Sequence, residues 1–238
     1  MNQIYLTVLL TLVGYISSYA QMHVSVGTFY GAYQMDDLKE FLNSNSTGNR
    51  HPDIKIASSF PHFCGTEAKL YFVFNRLSVG AQASLSSTGG NANFEDANTL
   101  FKYDIRIKHK VIGIGAEYVF NKNLQSPFHY LISVQAGYGY SLLNTEDKVK
   151  SSQFSPVVIT NGKFKSDHFN IQPGIGVRWQ YKYLFTTLLG SYFFDFQDSA
   201  LERYDENGPQ LYRRVEADWS GVRLSLSIGI KINEKKNL

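Results

Sequence analysis

The stretch from Val222 to Ile232 alternates without a break. Val222, Leu224, Leu226, Ile228, Ile230 and Ile232 fall on one side, and Arg223, Ser225, Ser227, Gly229 and Lys231 on the other. Successive side chains of a β-strand point to opposite faces, so the pattern describes a two-faced strand. Its length constrains the fold further. Strands of globular proteins are most often about 5–6 residues long, whereas a tilted strand needs about 9–11 to cross a bilayer. Two other stretches behave alike. Tyr130, Ile132, Val134, Ala136, Tyr138, Tyr140 and Leu142 alternate with Ser133, Gln135, Gly137, Gly139 and Ser141. Leu77, Val79, Ala81, Ala83 and Leu85 alternate with Ser78, Gly80, Gln82, Ser84 and Ser86. Periodicity leaves open which face is inside. A soluble sandwich turns the apolar face inward, and a membrane barrel turns it to lipid.

The N-terminus and the composition favour the barrel. Ile4 to Ile16 is an almost unbroken apolar run, followed by Ser18-Tyr19-Ala20 and then Gln21. The run is shorter than the ~20 residues of a spanning helix. Small residues at Ser18 and Ala20 fit signal-peptidase cleavage after Ala20. Residues 1–20 are therefore expected to be a signal peptide, although Met1-Asn2-Gln3 lacks the usual Lys or Arg, and residues 21–238 the barrel domain. No cysteine lies near the cleavage point to carry a lipid. Cys64 is the only cysteine, so no disulfide can staple the exported chain and a large sheet must supply its stability. Sixteen Tyr and seventeen Phe against two Trp is an interface kind of usage. A net charge of +3, widely dispersed, gives no basis for nucleic-acid binding.

The candidate strands run over about 22–33, 61–74, 77–86, 101–120, 128–142, 167–180, 184–196 and 216–232, which makes eight. The connections at Asn75-Arg76, Asn121–Pro127 and Tyr181–Tyr183 are short. Those at Gln34–Phe60, Ser87–Leu100, Asn144–Ser166 and Gln197–Val215 are long. Short turns at one end and long polar loops at the other are the asymmetry of an outer-membrane barrel. An even strand count puts both termini at the short-turn end, the periplasmic one.

With these strands, turns and leader, the chain resembles the small eight-stranded outer-membrane β-barrels (porin-like, OmpA/OmpX-type) of Gram-negative bacteria. The resemblance implies an all-β, antiparallel, up-and-down transmembrane barrel in the outer membrane, contacting its lipid and inserted by the barrel-assembly machinery. Such chains usually end on an aromatic residue. Here Ile232 is followed by the polar tail Asn233–Leu238.

Gly113-Ile114-Gly115-Ala116-Glu117-Tyr118, Gly174-Ile175-Gly176-Val177-Arg178-Trp179 and Ser227-Ile228-Gly229-Ile230-Lys231-Ile232 are variants of one pattern. Each places a charge on the inward face, so Glu117, Arg178 and Lys231 are expected at similar depth in the lumen. Glu67, Lys69 and Arg223 share the inward parity. Unpaired charge is costly inside a barrel, and an eight-stranded barrel has room for little beyond its own side chains. The expectation is an ionic plug, with a selective polar path as its alternative. On the outer face Tyr118, Phe120, Trp179, Tyr181 and Tyr183 sit near the short turns and suit an aromatic girdle.

The first long loop carries Met35, Leu38, Phe41 and Leu42 at helical spacing, so a short amphipathic helix is expected there. Asp205–Pro209 is a turn signal, and Asp198-Ser199-Ala200 and Asn45-Ser46-Thr47 are short glycan-acceptor patterns of low specificity. His168 beside Asp167 and Ser166 is the densest catalytic-looking group, but neighbours along a strand point apart. Cys64 has only His62 two residues away as a base. Metal-ligand spacing and phosphate loops are absent, so no metal, cofactor or catalytic residue is assigned. The expected function is non-enzymatic, structural or surface-interacting through the loops. A small pore or carrier is the alternative, and a lipid A-modifying enzyme is third. Strand four leaves one puzzle. Its apolar parity is odd at Ile105 and Ile107 but even at Ile112 and Ile114, which calls for a bulge near His109-Lys110 or an upper half clear of the membrane.

Overall fold

The computed structural model describes residues 21–47, 55–95, 99–121, 126–151, 154–196, 200–203 and 215–232. Eight long strands form the wall: β1 (Gln21–Tyr33), β3 (Phe63–Phe74), β4 (Leu77–Glu95), β5 (Thr99–Val119), β6 (Phe128–Ser151), β7 (Phe154–Tyr181), β8 (Leu184–Phe196) and β10 (Gly221–Ile232). Each pairs antiparallel with the next, and β10 pairs back onto β1 from Met22↔Ile232 to Tyr33↔Gly221, which closes the ring. A helix, α1 (Asp36–Thr47), and the short strands β2 (Lys55–Ser59) and β9 (Glu202–Arg203) belong to the long-loop end. The tight turns pass through Asn75 and Lys182, both left-handed at φ 56° and 51°. Asn tolerates that region, and Lys adopts it at some cost.

Both faces of the wall invert along its length, and β5 shows this in one strand. Its odd positions point inward from Phe101 to Glu117, and its register with β4 and β6 runs without a shift. No bulge exists at His109-Lys110. Ile105 and Ile107 are 3% and 0% exposed inside, while Ile112 and Ile114 are 73% and 67% exposed outside. Below this level the outside is apolar and the inside polar; above it the outside carries Lys102, Asp104, Arg106 and Lys108 and the inside is a hydrophobic core. One backbone parity therefore serves two solvents. Lipid requires apolar side chains outside, and water requires them inside. The upper half of β5 stands clear of the membrane. From Val222 to Ile232, at ~3.3 Å per residue and a tilt of ~40°, the apolar face reaches about 25 Å along the membrane normal, the height of a barrel's lipid band.

Three sequence boundaries need correction. The expected loops at Ser87–Leu100 and Asn144–Ser166 are largely strand. The β4–β5 ladder extends to Glu95↔Leu100, and the β6–β7 ladder to Ser151↔Phe154. Their alternation was hidden because above the membrane it is carried by Lys, Asn and Thr rather than by an apolar stripe. The last strand begins at Gly221; Val215 to Ser220 precede it as irregular chain. The signal peptide, the tail after Ile232, the Asp205–Pro209 turn and Asp198-Ser199 lie outside the described residues.

The helix expected in the first loop is α1. Met35, Leu38, Phe41 and Leu42 turn into the upper core with Phe60, Phe101, Ile105, Leu143, Phe164 and Trp219. Asp36 and Asp37 sit in its first turn, where the positive end of the helix dipole favours them. The residues before β10 are tied to the helix start: the Gln34 amide donates to the Ser220 carbonyl (3.1 Å), and the Glu216 amide to Asp37 Oδ2 (3.2 Å). The first and last long connections thus close the barrel mouth together.

Candidate functional site

The polar interior is stacked in levels. At the short-turn end His23, His129, Gln180, Arg178 and Lys231 line a depression of about 160 Å³. Next comes the Glu117–Arg178 ion pair, both side chains almost wholly buried. Arg178 Nε also donates to Thr187 Oγ1 (3.0 Å), and its guanidinium lies 4.9 Å from the Phe185 ring centre. Glu117 on β5 and Arg178 on β7 are carried on non-adjacent strands and meet across the lumen, where Gly115 leaves room beside them. Tyr71 uses the same space: a Cβ at Gly115 would collide with its hydroxyl.

Glu67 joins Lys69 (2.9 Å) and Arg223 (2.7 Å) at a higher level. Arg223 lies over the Phe29 ring at 3.3 Å and reaches Gln172 Oε1 (3.4 Å), and Gln172 Nε2 donates to Ser191 (2.7 Å). The six charged residues singled out from the sequence thus form a pair, a triad and one residue at the short-turn end, where Lys231 lines the depression with Arg178.

A third level was not foreseen. His109 Nε2 and His168 Nε2 are 2.9 Å apart, and Asp195 Oδ1 is 3.9 Å from His168 Nε2. Trp219 lies flat on His109 with ring centres 4.2 Å apart, and its Nε1 donates to Ser141 Oγ (2.9 Å). This is where the polar lumen meets the apolar core. Inward parity alone could have found His168 with Ser166; nothing local could place His109 or Trp219 against it. Asp167 points outward and accepts a hydrogen bond from Tyr138. Among the described residues Ser166 Oγ has no hydrogen-bond partner. The His62 ring rests edge-on against Tyr30 (5.8 Å). No cluster of metal-binding geometry occurs among the described residues.

On the outside, Tyr118, Phe120, Trp179, Tyr181 and Tyr183 are all exposed near the short turns. Trp179 and Tyr181 lie parallel at 6.2 Å, and Lys182 sits over Tyr181 at 5.3 Å. An aromatic ring beside a cation fits the headgroup level of a bilayer. Trp179 and Trp219 are the two tryptophans of the chain. With Trp219→Phe leaving Trp179 alone, emission of the reconstituted barrel should be quenched by lipids brominated near the headgroup and resist aqueous acrylamide. The opposite ranking would remove Trp179 from the membrane interface.

An apolar wall around a polar, ion-paired interior defines the class: a small eight-stranded antiparallel transmembrane β-barrel. No family model and no curated protein matches the chain. Solved structures do. The attachment invasion locus protein Ail of Yersinia pestis, in a complex with the heparin analogue sucrose octasulfate, is 14% identical over 90% of this chain and 99% of its own, with a TM-score of 0.40. Neisserial surface protein A is 12% identical over 89% and 97%, at 0.39. The Escherichia coli outer membrane protease OmpT is 10% identical over 89% and 94%, at 0.34. These likenesses concern the fold, and they include an enzyme as well as surface proteins.

Proposed function

We propose that this chain is a closed, non-enzymatic outer-membrane barrel with a structural or surface-interaction role. One observation carries the reading: two levels of ion pairs and a hydrophobic core lie one above the other in the interior. Ion pairs occupy the membrane level and a hydrophobic core with α1 occupies the mouth. What the protein presents outward is instead a sheet. The upper halves of β4 to β7 form a concave polar face of about 870 Å³, lined by residues such as Asn91, Arg106, Asn144 and Lys163. There Lys102 donates to Asp104 (2.8 Å), which raises the lysine above its ordinary pKa. This wall is the natural surface for an extracellular partner. The short-turn end, with both ends of the described ring, faces the periplasm in this reading, where the assembly machinery and the signal peptidase act.

Planar-bilayer recording tests it. The expected result is the absence of steady channels from the folded barrel. Steady conductance that disappears when Arg178 or Glu117 is replaced would overturn the closed lumen in favour of a pore. Altered lipid A mass in an expressing strain would instead make the protein an enzyme.

A further inference from the structure

A groove of about 430 Å³ crosses the outer wall where the apolar band ends. Its floor is made of small residues on β1 and β3, Thr28, Cys64, Gly65 and Thr66. Leu85 bounds it on β4, and Lys108 and Lys110 on β5. The atoms that face the groove are almost all apolar, the stems of the two lysines among them, so the ammonium groups stand at its rim. Neither ammonium has an ion-pair partner among the described residues. Both point outward one and two steps above Ile112, which is where the outer face changes from apolar to charged.

We propose that this groove is a site for a phosphate-bearing lipid of the surrounding leaflet. Its acyl chain lies over Thr28, Cys64 and Thr66, and its phosphate is held by Lys108 and Lys110. The inference rests on the membrane-barrel reading above. Charge and depth select the occupant. A chain lying in a groove that opens on the lipid band carries its headgroup up to the charged rim. Two adjacent unpaired ammonium groups there attract a phosphate more strongly than a neutral headgroup, at a depth where screening by water is reduced. Arg106, one further step up the same face of β5, extends the positive field.

Cys64 is exposed in the groove floor and is the only cysteine, so it reports occupancy. The full chain is folded into phosphatidylcholine vesicles, and alkylation of Cys64 by N-ethylmaleimide is timed as phosphatidic acid is added. The expected result is a saturable slowing by phosphatidic acid. Diacylglycerol, which has the chains without the phosphate, should not slow it, and neither should dissolved glycerol phosphate, which has the phosphate without the chains. Lys108→Gln with Lys110→Gln should raise the phosphatidic acid needed about a hundredfold, the loss of two charge-assisted contacts at about tenfold each. Lys148→Gln, on β6 and paired with Glu146 (2.6 Å), should leave it unchanged.

Equal slowing by diacylglycerol would reduce the groove to an apolar crevice and overturn the proposal. Protection by glycerol phosphate alone would make it a free-anion site and also overturn it. Should the lysine variants fold poorly, native mass spectrometry of the unaltered barrel decides: phosphatidic acid retained over diacylglycerol supports the site, and equal retention overturns it. A barrel that never gains heat-modifiable gel mobility overturns the membrane reading together with the site. A folded barrel whose Cys64 ignores phosphatidic acid overturns the site alone.

Discussion

Glu117→Ala should destabilise the barrel by about 3–5 kcal/mol, because it leaves the Arg178 guanidinium buried without its counter-charge. The partner groups that remain, Thr187 Oγ1 at 3.0 Å and the Phe185 ring, are neutral. They can orient a guanidinium but cannot offset its charge. Arg178→Ala should cost a similar amount by stranding the carboxylate. Double removal should cost less than the sum of the singles, since no unpaired charge is then left behind. Reversible urea unfolding of the reconstituted barrel, read for all four corners of the cycle, measures the coupling. Additive losses would mean that water reaches the pair and screens it, and the lumen would then be open at that depth. The stability measurement therefore bears on the same question as the conductance measurement.

The membrane half of this molecule was legible in the sequence because lipid makes a simple demand. Every second residue on Val222–Ile232 or Tyr130–Leu142 must be apolar, so period and strand length appear together. Parity then carried Glu67, Glu117, Arg178 and Arg223 into the lumen without any knowledge of contacts. Which charge meets which was not legible. Glu117 and Arg178 are 61 positions apart and Glu67 and Arg223 are 156 apart, and their meeting depends on ring closure and strand stagger. The half above the membrane was harder to read. In Ser87–Glu95 and Asn144–Lys150 the outward residues are polar and the inward ones mixed, which by composition reads as loop. The parity conflict in β5 was the clue that remained. Ile105 and Ile107 on one face, with Ile112 and Ile114 on the other, mark the change of solvent along a strand that does not break. The histidine level lay out of reach because Trp219, which organises it, stands in the irregular chain before Gly221, where strand parity does not say what it meets.

Trp219→Ala should loosen the mouth while leaving the ring in place. Trp219 is fully buried and touches four parts of the closure. It stacks on His109, meets Tyr33 and Phe63 edge-on at 5.4 Å each, and donates through Nε1 to Ser141 on β6. Its backbone amide also donates to Asp195 Oδ2 (3.0 Å), a tie to β8 that truncating the side chain leaves in place. Truncating a buried Trp costs about 3–5 kcal/mol where the site cannot collapse. Strands on three sides prevent collapse here. The loss should fall on the local closure, because the strand ladders below make no use of the indole. Amide exchange should therefore speed up in α1 and at Gln34 and Met35, whose amides donate to the Ser220 and Asp218 carbonyls, while β1 and β10 keep their protection from Val24 to Val26 and Ile228 to Ile230. Trp219→Phe, which keeps a ring on His109 but forfeits the Ser141 bond, should cost only about 1 kcal/mol. If exchange rises equally along the membrane strands in Trp219→Ala, the mouth and the ring unfold as one unit. If it rises nowhere, α1 is held by its own leucines, Leu38 and Leu42, and the indole is not the fastener. The ion pairs beneath are untouched by either substitution, so a loosened mouth should still leave the bilayer silent.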